Sequence, residues 1–269
     1  MRGRGAVVGF LAAVMAVAGC SSADPRTGAE TSGHQKADRV AKRLAGRYAH
    51  YDVVAYQSTD MKTLIISYGF TDLALKNGTL SATESFCHSE LRSDQPITTE
   101  MSDAATSAIR PISTPVTVTE KDGQARIKRP ATPTGIGIHL RDPAHDALPT
   151  DPNDPRIADD DHDGSPGISV HIKVTNDLQG DLYIARREIF AYDVRAQKDR
   201  SLQGQVSDHS EQLIVGATND IFKTKAAWIQ YPDLTKSPII LKPVAKSWNC
   251  TRLIAERDRL FPPTPSVDW

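Results

Sequence analysis

The chain is predicted to be mainly β, an antiparallel β-barrel or, on the same strand count, a β-sandwich, with one or two short helices. Three observations predict this. Apolar residues alternate with period two through much of the sequence. Asn77-Gly78 and Asp122-Gly123 each fall between two such stretches, and both dipeptides tolerate the positive φ of a tight hairpin turn. Convincing helical periodicity is scarce. A barrel leaves no exposed sheet edge, which favours it over the sandwich.

Taken in order, Lys36–Gly46 is the first candidate helix, with Val40 and Leu44 on one face and Gly46 placed to cap it. Tyr48, Tyr51 and Tyr56 follow as core residues or as the lining of a barrel mouth. Leu64 to Tyr68 begins a strand that continues through Leu73 and Leu75. After the Asn77-Gly78 turn the return strand carries Leu80, Ala82, Phe86 and Cys87. Met101 to Ile109 is a short helix started by Ser102 or Asp103. Val116 and Val118 alternate with threonines, and Asp122-Gly123 turns that strand back through Ala125 and Ile127.

Prolines 143, 149, 152 and 155 make the stretch 135–155 a long loop. Ile168 to Val174 alternates again, and Leu182 to Val194 is a long strand rich in β-formers. Leu202–Val206 and Gln212–Val215 add further strands. Ile239–Val244 and Trp248–Ile254 close the domain, with Pro238 and Pro243 marking edges or bends. The segment 261–269, with three prolines, is an extended tail. No internal repeat is visible, which argues against a propeller.

The amino terminus carries a different signal. Arg2 and Arg4 precede an apolar run from Ala6 to Ala18. As a helix that run would rise about 20 Å, short of the ~30 Å bilayer core. This is the pattern of a secretory signal covering 1–19. The run ends in Val17-Ala18-Gly19-Cys20, which resembles the lipobox of bacterial lipoproteins. The resemblance implies cleavage before Cys20, lipid on its thiol and an anchor in the cell envelope. Ser21 at the next position fits sorting to the outer membrane of a Gram-negative cell. Residues 20–35 then form a lipidated tether rich in Ser, Gly and Thr, and 36–260 a single β-rich domain.

Without Arg2 and Arg4 the chain holds 30 basic against 33 acidic residues. No basic excess exists to hold nucleic acid or an anionic membrane, so the membrane is reached through lipid. Cys87 and Cys250 remain after Cys20, an even pair expected to form a disulfide in an oxidising compartment. That bridge would tie an early strand to a late one.

The sharpest chemical motif is Asp159-Asp160-Asp161-His162-Asp163-Gly164-Ser165-Pro166-Gly167. Asp159, Asp161 and Asp163 can turn alternate carboxylates to one centre, Gly164 permits a sharp turn, and Ser165 offers a backbone carbonyl. Calcium, a hard cation, takes such oxygen ligands. The segment resembles the calcium loops of thrombospondin type 3 repeats and FG-GAP blades, and segments of myxobacterial surface lipoproteins. That resemblance implies a structural Ca²⁺ site. The ninth position is Gly167 where FG-GAP loops carry Asp, and the twelfth is Val170 where an EF-hand supplies Glu. Asp151, Asn153, Asp154 or water would complete the shell.

No catalytic set emerges. Asp208 and His209 are sequence neighbours, which point to opposite faces of a strand and cannot align as orienter and base. Glu188 and Asp193 are not spaced as a carboxylate pair. The expected function is a lipid-anchored binding or scaffolding module for a protein or a small apolar ligand. An envelope hydrolase acting on glycan or ester bonds is the alternative.

Overall fold

A computed structural model of the chain describes residues 38–223 and 228–269. The signal segment, Cys20 and the tether lie outside them. Among the described residues no helix is long and apolar enough to cross a membrane.

The domain is mainly antiparallel β. Helix α1 (38–44) leads into β1 (Gly46–Gln57), and β2 (Lys62–Lys76) and β3 (Thr79–Ser93) form the long hairpin on Asn77-Gly78. Both turn residues adopt positive φ, 51° and 78°. Next come β4 (Thr98–Met101), α2 (Asp103–Ser107) and β5 (Ser113–Pro115). The second hairpin joins β6 (Thr117–Lys121) to β7 (Gln124–Ile136) through Asp122-Gly123. A long loop leads to β8 (Ile168–Lys173), β9 (Gln179–Ala196), β10 (Leu202–Asp208) and β11 (Glu211–Ala217). Then β12 (Ile229–Gln230), β13 (Pro238–Val244) and α3 (Cys250–Leu260) complete the order.

All these strands belong to one sheet, running β4-β8-β9-β10-β13-β1-β2-β3-β5. The sheet curls into a half-barrel. Strand β9 organises it, because four strands pair along its length. Its carboxyl-terminal part lies between β10 and β7, and its amino-terminal part between β11 and β8.

Strand β1 is buried on both faces. Tyr48, Val54 and Tyr56 turn into the half-barrel, while Ala49, Tyr51, Val53 and Ala55 pack outward. The outer face is covered by α3 and the tail through Trp248, Leu253 and Phe261, with Phe261 stacked on Tyr51 at 5.3 Å. The pairing of Cys87 with Cys250 is present and fixes this cover to β3. Cys250 opens a helix, so the bridge joins a strand to a helix rather than to a late strand. Asn249 caps that helix by accepting from Arg252 N at 3.0 Å, which stops strand character there.

Other boundaries also differ from the sequence reading. The first helix ends at residue 44, and Gly46 opens β1 instead of capping it. Met101 belongs to β4, and Ser102 caps α2 by accepting from Ala105 N at 3.0 Å. Pro243 lies where β13 has only β1 as a neighbour, since the β10 ladder stops at Leu241. That one-sided position tolerates its missing N–H.

The two ends of the half-barrel differ. At one end α1 inserts Val40, Ala41 and Leu44 against Tyr48, Leu73 and Leu202. Eight residues along β1, about 27 Å away, Tyr56 faces an open cavity.

Candidate functional site

Alternation along β1 and β9 places ionisable side chains inside the half-barrel. His50 is fully buried, with Nδ1 2.7 Å from Thr71 Oγ1 and Nε2 3.2 Å from Asp52 Oδ1. Arg129 and Glu84, 4% and 6% exposed, pair at 3.1 Å. Tyr192 donates to the other Glu84 oxygen at 3.1 Å. Arg129 also repairs a break in β7. The β7–β9 register shifts between Arg129 and Thr132, where Pro130 has no N–H to give. The Arg129 guanidinium donates to the Phe190 carbonyl there.

Nearer the open end, Arg186 Nη2 donates to Tyr56 Oη at 2.7 Å and to Ser210 Oγ at 2.8 Å. Both hydroxyls donate onward to Asp208. Arg186 touches its carboxylates loosely. Asp208 Oδ2 lies at 3.7 Å and Glu188 Oε2 at 4.0 Å, and Arg186 Nε is buried without a hydrogen-bond partner. Burial pushes the Tyr56 hydroxyl well above its ordinary range, and the Asp208 carboxylate adds to this against the opposing pull of Arg186.

Two adjoining cavities meet this cluster. The outer one, about 490 Å³, is walled by apolar side chains from several strands, among them Met101, Val170, Ile172, Leu182 and Ile184, with Trp228 at its side. Its volume is in the usual range for small-molecule sites. Arg186, Tyr56 and Ser210 are its polar groups on the interior side. The inner one, about 70 Å³, is lined by Asp52, Glu188 and Asp208 as well as Arg186. Tyr56, Met101, Ile184 and Arg186 belong to both walls.

Glu188 is the most perturbed carboxylate there. Burial pushes it up to about 7; Arg186 opposes, and the charges of Asp208 and Asp52 reinforce. A folded-state value above the ordinary one means that the native protein holds this proton more tightly than the unfolded chain. The stabilisation is complete below about pH 4.5 and is lost as pH rises to about 7. Glu188→Gln cannot ionise. It is therefore expected to be more stable than the parent at pH 8, by ~3 kcal/mol at most, and indistinguishable at pH 4.5. Thermal melts at both pH values check this.

None of these groups was assembled from sequence. Glu188 finds its acidic partners, Asp208 and Asp52, across strands, whereas Asp193 sits outside and pairs with Arg126 at 2.6 Å. Ser210 bonds Asp208 rather than a histidine, and His209 is exposed at the rim. Tyr48, Tyr51 and Tyr56 are all core, 5%, 1% and 4% exposed, and Tyr56 also meets the cavity.

The aspartate loop forms a second centre. Carboxylate oxygens of Asp159, Asp161 and Asp163 lie within 4.8 Å of one another. Two oxygens on opposite sides of a calcium ion, each at about 2.4 Å, are separated by this amount. Asp159 accepts from the N–H groups of Asp163 and Gly164 at 3.1 and 3.0 Å, and Asp163 accepts from Ser165 N at 2.7 Å. Asp161 is 8% exposed. Its Oδ2 accepts from Ser169 N at 3.0 Å, but its buried Oδ1 has no hydrogen-bond partner. A buried carboxylate oxygen without a donor is costly unless a cation faces it.

The other acids near this loop have different work. Asp160 accepts from Gly137 N at 3.0 Å and His139 Nε2 at 2.8 Å. Asp154 is held by Arg156, both guanidinium contacts at 2.9 Å, and Asp151 accepts from Asn153 N. Gly167 anchors the loop's end to β9. Its φ is 87°, and a Cβ there would lie 2.4 Å from the Ile184 carbonyl oxygen. The next residue, Ile168, lines the inner cavity, and β8 continues into the outer wall.

Compared with protein-family models, curated proteins and solved structures, the chain matches none.

Proposed function

We propose that the protein is a binding module, anchored to the cell envelope by lipid on Cys20, that takes a small apolar molecule into the open end of its half-barrel. The outer cavity carries this reading: about 490 Å³, with Leu91, Ile97, Met101, Val170, Ile172, Leu182 and Ile184 on its walls and Arg186, Tyr56 and Ser210 at its inner end. A calcium ion held by Asp159, Asp161 and Asp163, with Ser165 and water completing the shell, would fix the start of β8, which forms part of that wall. The fit rests on the clustered carboxylates and the orphan Asp161 oxygen. The hydrolase alternative is less well supported. Carboxylates do converge on the inner cavity, but it is small, about 70 Å³, and nearby Ser210 bonds Asp208 rather than a histidine.

An uncharged fluorescent probe such as N-phenylnaphthylamine tests the reading. The intact protein is expected to bind it saturably, and Ile172→Trp, which fills the outer cavity, is expected to abolish binding. Calcium at 100 times its dissociation constant should add about 2.7 kcal/mol of stability, or roughly 5–10 °C of melting temperature. This gain is expected to vanish in Asp161→Ala plus Asp163→Ala. Unsaturable probe uptake would sink the binding module. Melting unmoved by millimolar calcium would remove the metal.

A further inference from the structure

A purely apolar ligand would leave the inner end of this site unused. The binding reading can be carried to a ligand class, and the inference rests on that reading. Among the described residues the interior holds the carboxylates of Asp52, Glu84, Glu188 and Asp208 against the guanidiniums of Arg129 and Arg186. Arg129 is committed to Glu84, with a direct hydrogen bond at 3.1 Å. That leaves Asp52, Glu188 and Asp208 around the small inner cavity, facing Arg186 alone. Counting His50, bonded to Asp52, as a cation still leaves an acidic excess.

The hydrogen bonds of the carboxylates point the same way. Asp208 is satisfied by Tyr56 and Ser210. Asp52 accepts from His50. Glu188 accepts no hydrogen bond from any described residue, and its closest cation, Arg186 Nε, stands at 4.0 Å, beyond hydrogen-bond reach. An acceptor without a donor in an acidic cavity is complementary to an N–H-bearing cation. The cavity's size of about 70 Å³ suits a terminal ammonium group and not a bulky head. The wall shared by the two cavities puts that head next to the apolar chamber, so one molecule can occupy both.

We infer that the ligand is a single-chain cationic amphiphile, a primary alkylamine in its simplest form, with its ammonium against Glu188 in the inner cavity and its chain along the apolar wall of the outer one. The opposite orientation would press a methyl terminus against Arg186, Asp208 and Glu188, desolvating charges with nothing in return. The groups that face Glu188 are Arg186 on its own strand, Asp208 from β10, Asp52 and Tyr56 from β1, and Arg129 from β7. Of the charged ones only the two arginines repel a cation, and Arg129 is already paired.

Dodecylammonium, dodecanol and dodecanoate share one chain and differ in head charge, so they separate head from tail. Binding to the intact protein is followed by Trp228 fluorescence, with Trp228→Phe as the control for signal origin, all below micelle-forming concentrations. At pH 8 dodecylammonium is expected to bind at least tenfold tighter than dodecanol and about a hundredfold tighter than dodecanoate. The amine's advantage should shrink between pH 8 and 5.5 as Glu188 takes a proton, while dodecanol stays constant. That arm needs no variant. Glu188→Gln is expected to cost the amine tenfold or more and leave dodecanol unchanged. Equal binding of all three, or preference for dodecanoate, would overturn the head-group inference while the binding module stands. Binding of none would overturn the binding module as well.

Discussion

Replacing Cys87 and Cys250 together by alanine is expected to lower stability by about 5 kcal/mol, the largest effect of any change away from the cavity. The bridge spans 163 residues, and closing so long a loop removes much of the unfolded chain's freedom. In a domain of this size the loss corresponds to a fall in melting temperature of roughly 10–20 °C. The native side of the balance also matters. The disulfide holds α3 over the outer face of β1–β3, where Tyr51, Tyr68 and Phe70 would otherwise meet water. Urea unfolding of the two proteins measures the change. A loss under about 1 kcal/mol would mean that Trp248, Leu253 and Phe261 hold the cover in place by packing alone.

Arg129→Leu is expected to destabilise by about 3–5 kcal/mol, although it exchanges a polar side chain for an apolar one in the interior. The reason is what it leaves behind. Glu84 keeps only the Tyr192 hydroxyl as a partner, and the Phe190 carbonyl loses the donor that stands in for the absent N–H of Pro130. Adding Glu84→Met should restore part of the loss, because a buried charge pair can be exchanged for apolar packing at small net cost. A double-mutant cycle by chemical denaturation tests the coupling. Strict additivity of the two substitutions would show that the pair does not act as a unit.

The parts of the fold that follow simple alternation were legible from sequence. Both Gly-containing hairpins, the long β9 and the disulfide pair came from local pattern and cysteine arithmetic. Strand β1 did not, although it lies at the middle of the sheet. It is covered on both faces, and its inward positions carry His50 and Asp52 while its outward ones carry Ala49, Tyr51 and Val53. That arrangement inverts the usual apolar-in, polar-out signal. The cavity cluster was hidden for a related reason. Tyr56, Glu188 and Asp208 belong to three strands, 152 residues apart at the extremes, and only pairing and curl bring them together. The aspartate loop was legible because its groups lie within five consecutive residues.

The placement of β1 also constrains how the protein can be made. Its ladder with β13 joins Ala49 to Lys242 and Tyr51 to Ile240, so the first strand of the described domain waits for the last. Such non-local pairing slows folding, because the entropy of closing the loop is lost before the contacts reward it. The hairpin of β2 and β3 can form early, offering β1 one partner and leaving its other edge bare through most of synthesis. Cys250 lies six residues beyond the end of β13. Once oxidised to Cys87, it confines the final strand to the neighbourhood of that bare edge and turns a search across the whole chain into a short local one.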